Sequence, residues 1–177
     1  MNTSLRLMVA GVILASTLTV AHAGDYSFDF TVQQKHDAGA TGANDERTTK
    51  TQKWFYNVTM RNLSFKDVAN MEIKYVIFSK QEAVGDFEPT GTTNFKRQPG
   101  TLSIKLLKNN DEVTFSTDGV VLTNVTYNYA DYAGEQSKGM LQGLWIRVYV
   151  GGQMVSEFTS PTGLANKTTF DPPPKDK

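Results

Sequence analysis

Side chains that commonly carry out catalysis are scarce in this chain. It has no cysteine and two histidines, His22 and His36. A nucleophilic triad with a histidine base would have to use one of them, and a zinc site built from several cysteines or histidines cannot form. His36 opens the polar stretch 36–51, where a solvated loop histidine is the simpler interpretation. The sequence patterns of hydrolase nucleophile elbows, zinc proteases and phosphate-binding loops do not occur.

Two groups of oxygen-bearing side chains could act as catalytic carboxylates or as cation ligands. Glycoside hydrolysis needs two carboxylates across a cleft, and the candidates are Glu82, Asp86 and Glu88. The stretch Asn109–Glu112 offers oxygen ligands for calcium but lacks the spacing and the glycine of an EF-hand loop. A polar loop explains the first group and a hairpin turn explains the second. We therefore predict no enzyme activity, no cofactor and no metal site.

Aromatic side chains are the stronger candidates for a contact surface. Three tyrosines come at the end of a predicted strand and in the loop after it, and two further rings share one face of the last predicted hairpin. Exposed rings of this kind stack on sugar faces or anchor protein interfaces. The alternative is that they pack beneath a loop or form a second layer of the core. These candidate contact residues are Tyr127, Tyr129, Tyr132, Trp145 and Tyr149.

The first 23 residues have the features of a secretory signal. Arg6 supplies a positive charge, Leu7–Val20 is mostly apolar, and Ala21-His22-Ala23 matches the small-x-small pattern of a cleavage site. The apolar run is shorter than the roughly 20 residues that cross a bilayer as a helix. We therefore expect a mature chain that begins at Gly24 and has no membrane span. Export without disulfides is typical of a bacterial envelope protein, located in the periplasm, on the outer surface or in the medium.

The predicted mature chain is close to electrically neutral. Cleavage after residue 23 removes one charged residue, Arg6, from the 18 Lys plus Arg and leaves the 18 Asp plus Glu untouched. No block of like charge occurs along the sequence. Since binding to a phosphate backbone depends on a basic patch, nucleic acid is not an expected partner.

Apolar and polar residues alternate along much of the chain from Tyr26 onward, which predicts β-strands. The clearest example is residues 54–78, two alternating runs joined by a polar turn, which we predict to be the central strand pair. A one-residue slip would turn the apolar face of either run toward water, so burial fixes the register. The predicted core side chains of the two runs are Trp54, Tyr56, Val58, Met60, Met71, Ile73, Tyr75 and Ile77.

Three stretches are predicted to lie outside regular strands. Residues 36–51 contain almost no large apolar side chain, so we expect a mobile connection there, with a functional loop as the alternative. Residues 81–100 contain two prolines and three glycines and are expected to hold at most a short edge strand. The tail beyond Pro161 includes three consecutive prolines, 172–174, and is predicted to be an extended segment.

A tight hairpin is predicted at Asp118-Gly119, a dipeptide that suits a two-residue type I′ turn. Such a turn would place Phe115 opposite Leu122 as an apolar cross-strand pair.

A second hairpin is predicted where Gly151-Gly152 joins the alternating runs 144–150 and 153–158. In this hairpin Trp145 and Phe158 would share the less aliphatic face. Because both faces are partly apolar, the hairpin is also a candidate contact surface for a homo-oligomer.

About seven to nine short predicted strands and no long amphipathic helix are typical of a β-sandwich or barrel. Within this pattern, the segments Tyr56–Ser64 and Glu72–Phe78 resemble the second and third strands of immunoglobulin-like domains in bacterial and archaeal envelope proteins. Antibody-type features are missing, because there is no cysteine pair and no tyrosine-corner pattern before Leu144. The resemblance implies an all-β, immunoglobulin-like β-sandwich of about seven to nine antiparallel strands without a disulfide.

The resemblance also implies a domain organisation and a role. The chain divides into a signal peptide at 1–23, the sandwich at 24–161 and an extended proline-rich tail at 162–177. Small secreted domains of this kind are similar to the β domains of type IV pilus systems, although the apolar run here lies before Gly24 and not after it as in a pilin. We expect a non-enzymatic envelope or surface protein in pilus-associated assembly, adhesion or host interaction, with protein partners. The alternative is a glycan-binding module.

Overall fold

The computed structural model describes residues 25–44, 47–82, 95–129 and 132–172. The predicted signal peptide, and Asp86 and Glu88, therefore lie outside the described residues. Within the described ranges, no helix is long and apolar enough to span a membrane. The described elements are β1 (Phe28–His36), β2 (Ala40–Ala43), β3 (Arg47–Asn62), β4 (Val68–Glu82), β5 (Lys96–Leu107), β6 (Glu112–Ser116), β7 (Val120–Tyr129), β8 (Tyr132–Val150), β9 (Gln153–Ser160) and a short 3₁₀ helix (Thr162–Asn166).

The strands form two antiparallel sheets, and the long strand β8 belongs to both. Sheet A is centred on β3, with β1 and β2 along one edge and β6 and β7 along the other. Residues 132–137 of β8 pair with β7, whereas residues 138–150 pair with β4. Sheet B has the order β5-β4-β8-β9. Side chains from both sheets share one apolar core, so the prediction of an all-β sandwich is confirmed.

The stretch predicted to supply the centre of the core does so. Seven of its eight predicted core side chains are buried and Trp54 is half-buried. However, the two strands do not pair with each other, because β3 lies in sheet A and β4 lies in sheet B. The turn between them is a corner that carries the chain from one sheet to the other. The two apolar faces therefore meet across the sandwich, which buries both without a shared ladder of hydrogen bonds.

The hairpin predicted at Asp118-Gly119 is wrong. Strands β6 and β7 do not pair with each other but lie one after the other along β3. Phe115 consequently lies opposite Val58 of β3 and not opposite Leu122. A type I′ turn needs a positive φ at both central residues, and neither Asp118 nor Gly119 has one.

Contacts with neighbouring strands explain why this dipeptide does not turn. The Asp118 backbone N–H donates to the Tyr75 hydroxyl at 2.9 Å, and that hydroxyl donates to the Asp118 carboxylate at 3.1 Å. Gly119 has a different role, since a Cβ there would meet the flexible, exposed side chain of Lys53, which would have to move aside. The glycine makes room for a lysine stem from the adjacent strand, which a local turn rule does not consider.

Both regions predicted to be loops contain strand. Ala40–Ala43 forms β2 and pairs with residues 48–51 of β3, so the prediction that 36–51 lies outside regular strands is wrong for the residues described. Threonine-rich sequence favours strands, and pairing at an exposed edge needs no buried side chain. In the second region, β4 runs to Glu82 and β5 begins at Lys96. Pro99 is tolerated because β5 is an edge strand of sheet B. Residues 83–94 lie outside the described part.

The last hairpin is confirmed, although one face assignment is wrong. Gly151 and Gly152 have φ values of 58° and 82°, as a type I′ turn requires. A bulge then leaves Val155 without a partner on β8, which reverses the alternation in β9. Phe158 therefore points into the main core, where it stacks on Phe30 with ring centroids 5.0 Å apart.

Candidate functional site

Trp145 lies on the outer face of sheet B, but its ring is covered. Its side chain is 6% exposed and belongs to a second apolar cluster, separate from the core between the sheets. This burial corrects the expectation of an exposed ring and matches the alternative of a second core layer. The indole N–H has no hydrogen-bond partner among the described residues, so the ring is held by packing. The other buried members of the cluster are Val76, Phe78, Leu164 and Phe170.

The side chains of Tyr127, Tyr129 and Tyr132 lie outside the described residues. In the backbone pairing of sheet A, Tyr129 of β7 lies opposite Tyr132 of β8, and Tyr127 lies opposite Arg47 of β3. Their role as contact residues stays a prediction.

Tyr149 is the remaining candidate, and it lies on the same outer face as Trp145, four residues further along β8. Its side chain is half-exposed. The Lys74 ammonium lies 4.9 Å from the centre of the Tyr149 ring and 3.4 Å from the Glu72 carboxylate. Tyr149 therefore has one side occupied by a cation and remains partly open to solvent.

The cover over Trp145 is the chain's own C-terminal segment, residues 161–172, here called the C-terminal strap. It was predicted to be extended, whereas it folds back on sheet B and buries Leu164 and Phe170. Gly143 allows the close approach, because a Cβ at this position would lie 2.5 Å from the Ser160 carbonyl oxygen and 2.8 Å from Leu164. The signal in the sequence was two large apolar residues within a tail otherwise rich in polar residues and proline.

Two arginines fasten the strap to the sheet. The Arg97 guanidinium donates to the carbonyl oxygen of Thr169 at 2.7 Å and also to that of Phe170. Arg147 lies 4.1 Å from the centre of the Phe170 ring and donates to the Asp171 carboxylate at 3.1 Å. Cation–π and charge-assisted contacts of this kind strengthen as water is excluded.

Both arginines remain cations in this setting. Burial lowers the pKa of Arg97, and the nearby Asp171 carboxylate offsets part of that effect. Burial alone would also lower the pKa of Arg147, but its hydrogen bonds to Glu157 and Asp171 outweigh burial and raise the pKa. The outer face of sheet B thus carries permanent positive charge.

A groove of about 360 Å³ lies between the strap and the neighbouring strands β4 and β5. Its walls combine apolar surface with two cations and one carboxylate. This volume lies within the range of about 300–1,000 Å³ that is typical of ligand pockets. The residues that define it most clearly are Lys74, Val76, Arg97, Pro99, Phe170 and Asp171. No group of three histidine or acidic side chains in the described part of the chain is arranged to hold a metal ion. The arrangement is one for binding by packing and charge.

A second exposed feature lies at the β3–β4 corner, residues 63–67. Phe65 is fully exposed and Leu63 is 43% exposed. Asn62, just before the corner, is fully buried and fixes its shape. Sequence analysis missed both the groove and this corner. The corner was missed because a single Phe in a polar turn gives no periodic signal. The pattern NLSFKD nevertheless contains two large apolar residues where a turn needs none.

Comparison with known proteins adds little. No protein-family model matches the chain, and no curated protein matches it either. Among solved structures, the X-ray structure of Northeast Structural Genomics Consortium target SoR45 is 11% identical, with 75% of this chain and 85% of that chain covered. The TM-score is 0.33, and the likeness carries no structural or functional argument.

Proposed function

We propose that this chain is an exported, non-enzymatic protein of the bacterial envelope or surface. It acts by binding other proteins in pilus-associated assembly, adhesion or host interaction. The observation that carries the proposal is the groove beside the C-terminal strap, which offers apolar surface, two cations and a carboxylate to a partner. Mixed surfaces of this composition suit a protein segment with both apolar and charged side chains.

The strand order supports the immunoglobulin-like form of the sandwich. The path β1-β3-β7 in sheet A follows the A-B-E order of such domains, and β5-β4-β8-β9 in sheet B follows the C′-C-F-G order. In this correspondence β3 and β4 are the second and third strands, as the resemblance in the sequence implied. A fold of this kind serves many functions, so the role rests on the groove and not on the fold.

Site-specific photo-crosslinking in the native cell tests the proposal. A photoreactive residue at Thr101, on the rim of the groove, is expected to capture envelope or surface proteins. The matched control is Thr114, an exposed threonine on β6 in sheet A, which is expected to capture none of them. Equal capture from both positions, or capture from neither, would contradict binding at the groove. Mass spectrometry of the same isolated chain should show a mature N-terminus at Gly24.

A glycan-binding module is the second candidate, and the half-exposed ring of Tyr149 beside the groove favours it. On a glycan array, Tyr149→Ala should then lower binding about five- to thirtyfold, since stacking and its hydrogen bonds contribute on the order of 1–2 kcal/mol. The matched control is Tyr26→Ala. The Tyr26 ring is also partly exposed, and the Lys66 ammonium lies 4.3 Å from its centre. Tyr26 lies just before β1, at the end of that strand that is far from β2. An array without saturable binding would reject this candidate.

A further inference from the structure

We propose that the exposed Phe65 of one copy docks into the groove of a second copy, so that copies of this chain join head to tail. In the proposed surface assembly, this contact would be the step by which one copy adds to the next. The biological role of the contact therefore rests on the proposed function. Its two halves are already present on each copy: a projecting ring at the β3–β4 corner and a groove on the outer face of sheet B.

The projecting half is held in a fixed shape. Phe65 has 101% of its reference surface exposed, so its ring contributes no buried apolar surface to the stability of the fold. The corner beneath it is tied by the buried Asn62 side chain, which donates to the carbonyl oxygen of Lys66 at 2.9 Å and accepts from the Ser64 N–H at 2.9 Å. A ring presented on an ordered corner loses little conformational freedom on binding. Aromatic anchors with this property are typical of interface hot spots.

The groove has the size and surface that such a ring requires. Its apolar walls come from Val76, Pro99 and Phe170, and its volume of about 360 Å³ accommodates a phenyl group. Arg97 and Lys74 border the same space, and a cation near the face of a bound ring adds to the attraction.

The charges of the two halves are complementary. The corner carries Lys66 and Asp67, and a second carboxylate, Asp25, lies 3.5 Å from the Lys66 ammonium, so carboxylates are in the majority there. The residues that line the groove have the opposite balance, with Lys74, Arg97 and one carboxylate, Asp171; behind this lining Glu72 pairs with Lys74 and Arg147 pairs with Asp171. Opposite majorities of charge steer association and fix its orientation.

Phe65 cannot fill the groove of its own copy. Strand β4 runs from Val68, next to the corner, toward Val76 in the groove wall, and at about 3.3 Å per residue this is on the order of 26 Å. The contact therefore joins two copies through different surfaces. A pair joined in this way keeps one unused ring and one unused groove, so further copies can add to it, and the assembly grows past a dimer into a filament or a closed ring. One phenyl ring in a groove buries less surface than the roughly 1,200 Å² of stable complexes, so the contact is weak and its extent depends on protein concentration.

Sedimentation velocity over a concentration series up to about 1 mM, which reaches the dissociation constants of weak contacts, tests the proposal. The purified chain should form progressively larger species. Phe65→Ala should weaken self-association about 30-fold or more, the effect of losing an interface hot spot. Thr101→Trp, which places a ring in the groove, should do the same. The matched controls, Val121→Ala at another exposed apolar residue and Thr114→Trp on sheet A, should associate like the unaltered chain.

Mixing the two variants separates this contact from every symmetric one. Phe65→Ala retains the groove and Thr101→Trp retains the ring, so their mixture should form a one-to-one dimer and nothing larger. A monomer at every concentration overturns the proposal, as does self-association unaffected by Phe65→Ala or a mixture that remains monomeric. If the unaltered chain is monomeric while crosslinking at Thr101 still captures envelope proteins, the self-assembly fails and the proposed function stands.

Discussion

Replacing Asn62 with alanine is expected to lower the free energy of unfolding by about 3–4 kcal/mol. The side chain is fully buried, and its amide group donates to the carbonyl oxygens of Lys66, Leu107 and Lys108 at 2.9, 3.2 and 3.1 Å. Its oxygen accepts from the Ser64 N–H at 2.9 Å. Alanine removes these bonds and leaves buried backbone groups unpaired, a cost of about 1–3 kcal/mol for each group that water does not reach.

Urea denaturation measures this effect, and Asn57→Ala on the same strand is its control. Asn57 makes one surface contact, accepting from the Ser116 hydroxyl at 2.8 Å, so its loss should cost less than about 1 kcal/mol. Asn62→Asp is a sharper variant, because it retains the acceptor for Ser64 but loses both donors and buries a charge. It should be at least as destabilising as alanine. Equal unfolding midpoints for Asn62→Ala and Asn57→Ala would show that the corner does not depend on this side chain.

Alternation in the sequence predicted the buried faces well because burial alone decides them. Along β3 and β4 a shift by one residue exposes every apolar side chain, so the pattern has one stable solution. The same pattern does not contain the identity of the neighbouring strand. An apolar face is equally well buried by a strand in its own sheet or by one across the sandwich, which is why residues 54–78 were predicted to pair and instead lie in opposite sheets.

Local rules failed where a distant side chain decides the outcome. Asp118-Gly119 has the composition of a turn, but the Tyr75 hydroxyl from sheet B fixes Asp118 in place and Lys53 occupies the space beside Gly119. The burial of Trp145 depends likewise on Phe170. The centres of the two rings are 5.9 Å apart, although the residues are 25 positions apart along the chain. The sequence pattern therefore placed Tyr149 on the correct face of the last hairpin, whereas it contained no sign of the strap that covers Trp145.

The C-terminal strap leads to the second large expected effect. Phe170→Ala should lower the free energy of unfolding by about 3 kcal/mol, near the lower end for truncation of a buried phenylalanine, because the ring lies at the surface of the second cluster. It should also uncover Trp145, since the strap would keep Leu164 but lose the ring that packs against the indole. In a Trp54→Phe background Trp145 is the only tryptophan, so its fluorescence emission should shift to longer wavelength in the folded state.

Phe65→Ala is the matched control, because it removes the same atoms from a fully exposed position. It should leave the free energy of unfolding within about 0.5 kcal/mol and the Trp145 emission unchanged. Emission from Trp145 that is unaffected by Phe170→Ala would show that the Phe170 ring is not what excludes water from the indole. The expected shift would show that the strap, which forms one wall of the groove, excludes water from the indole.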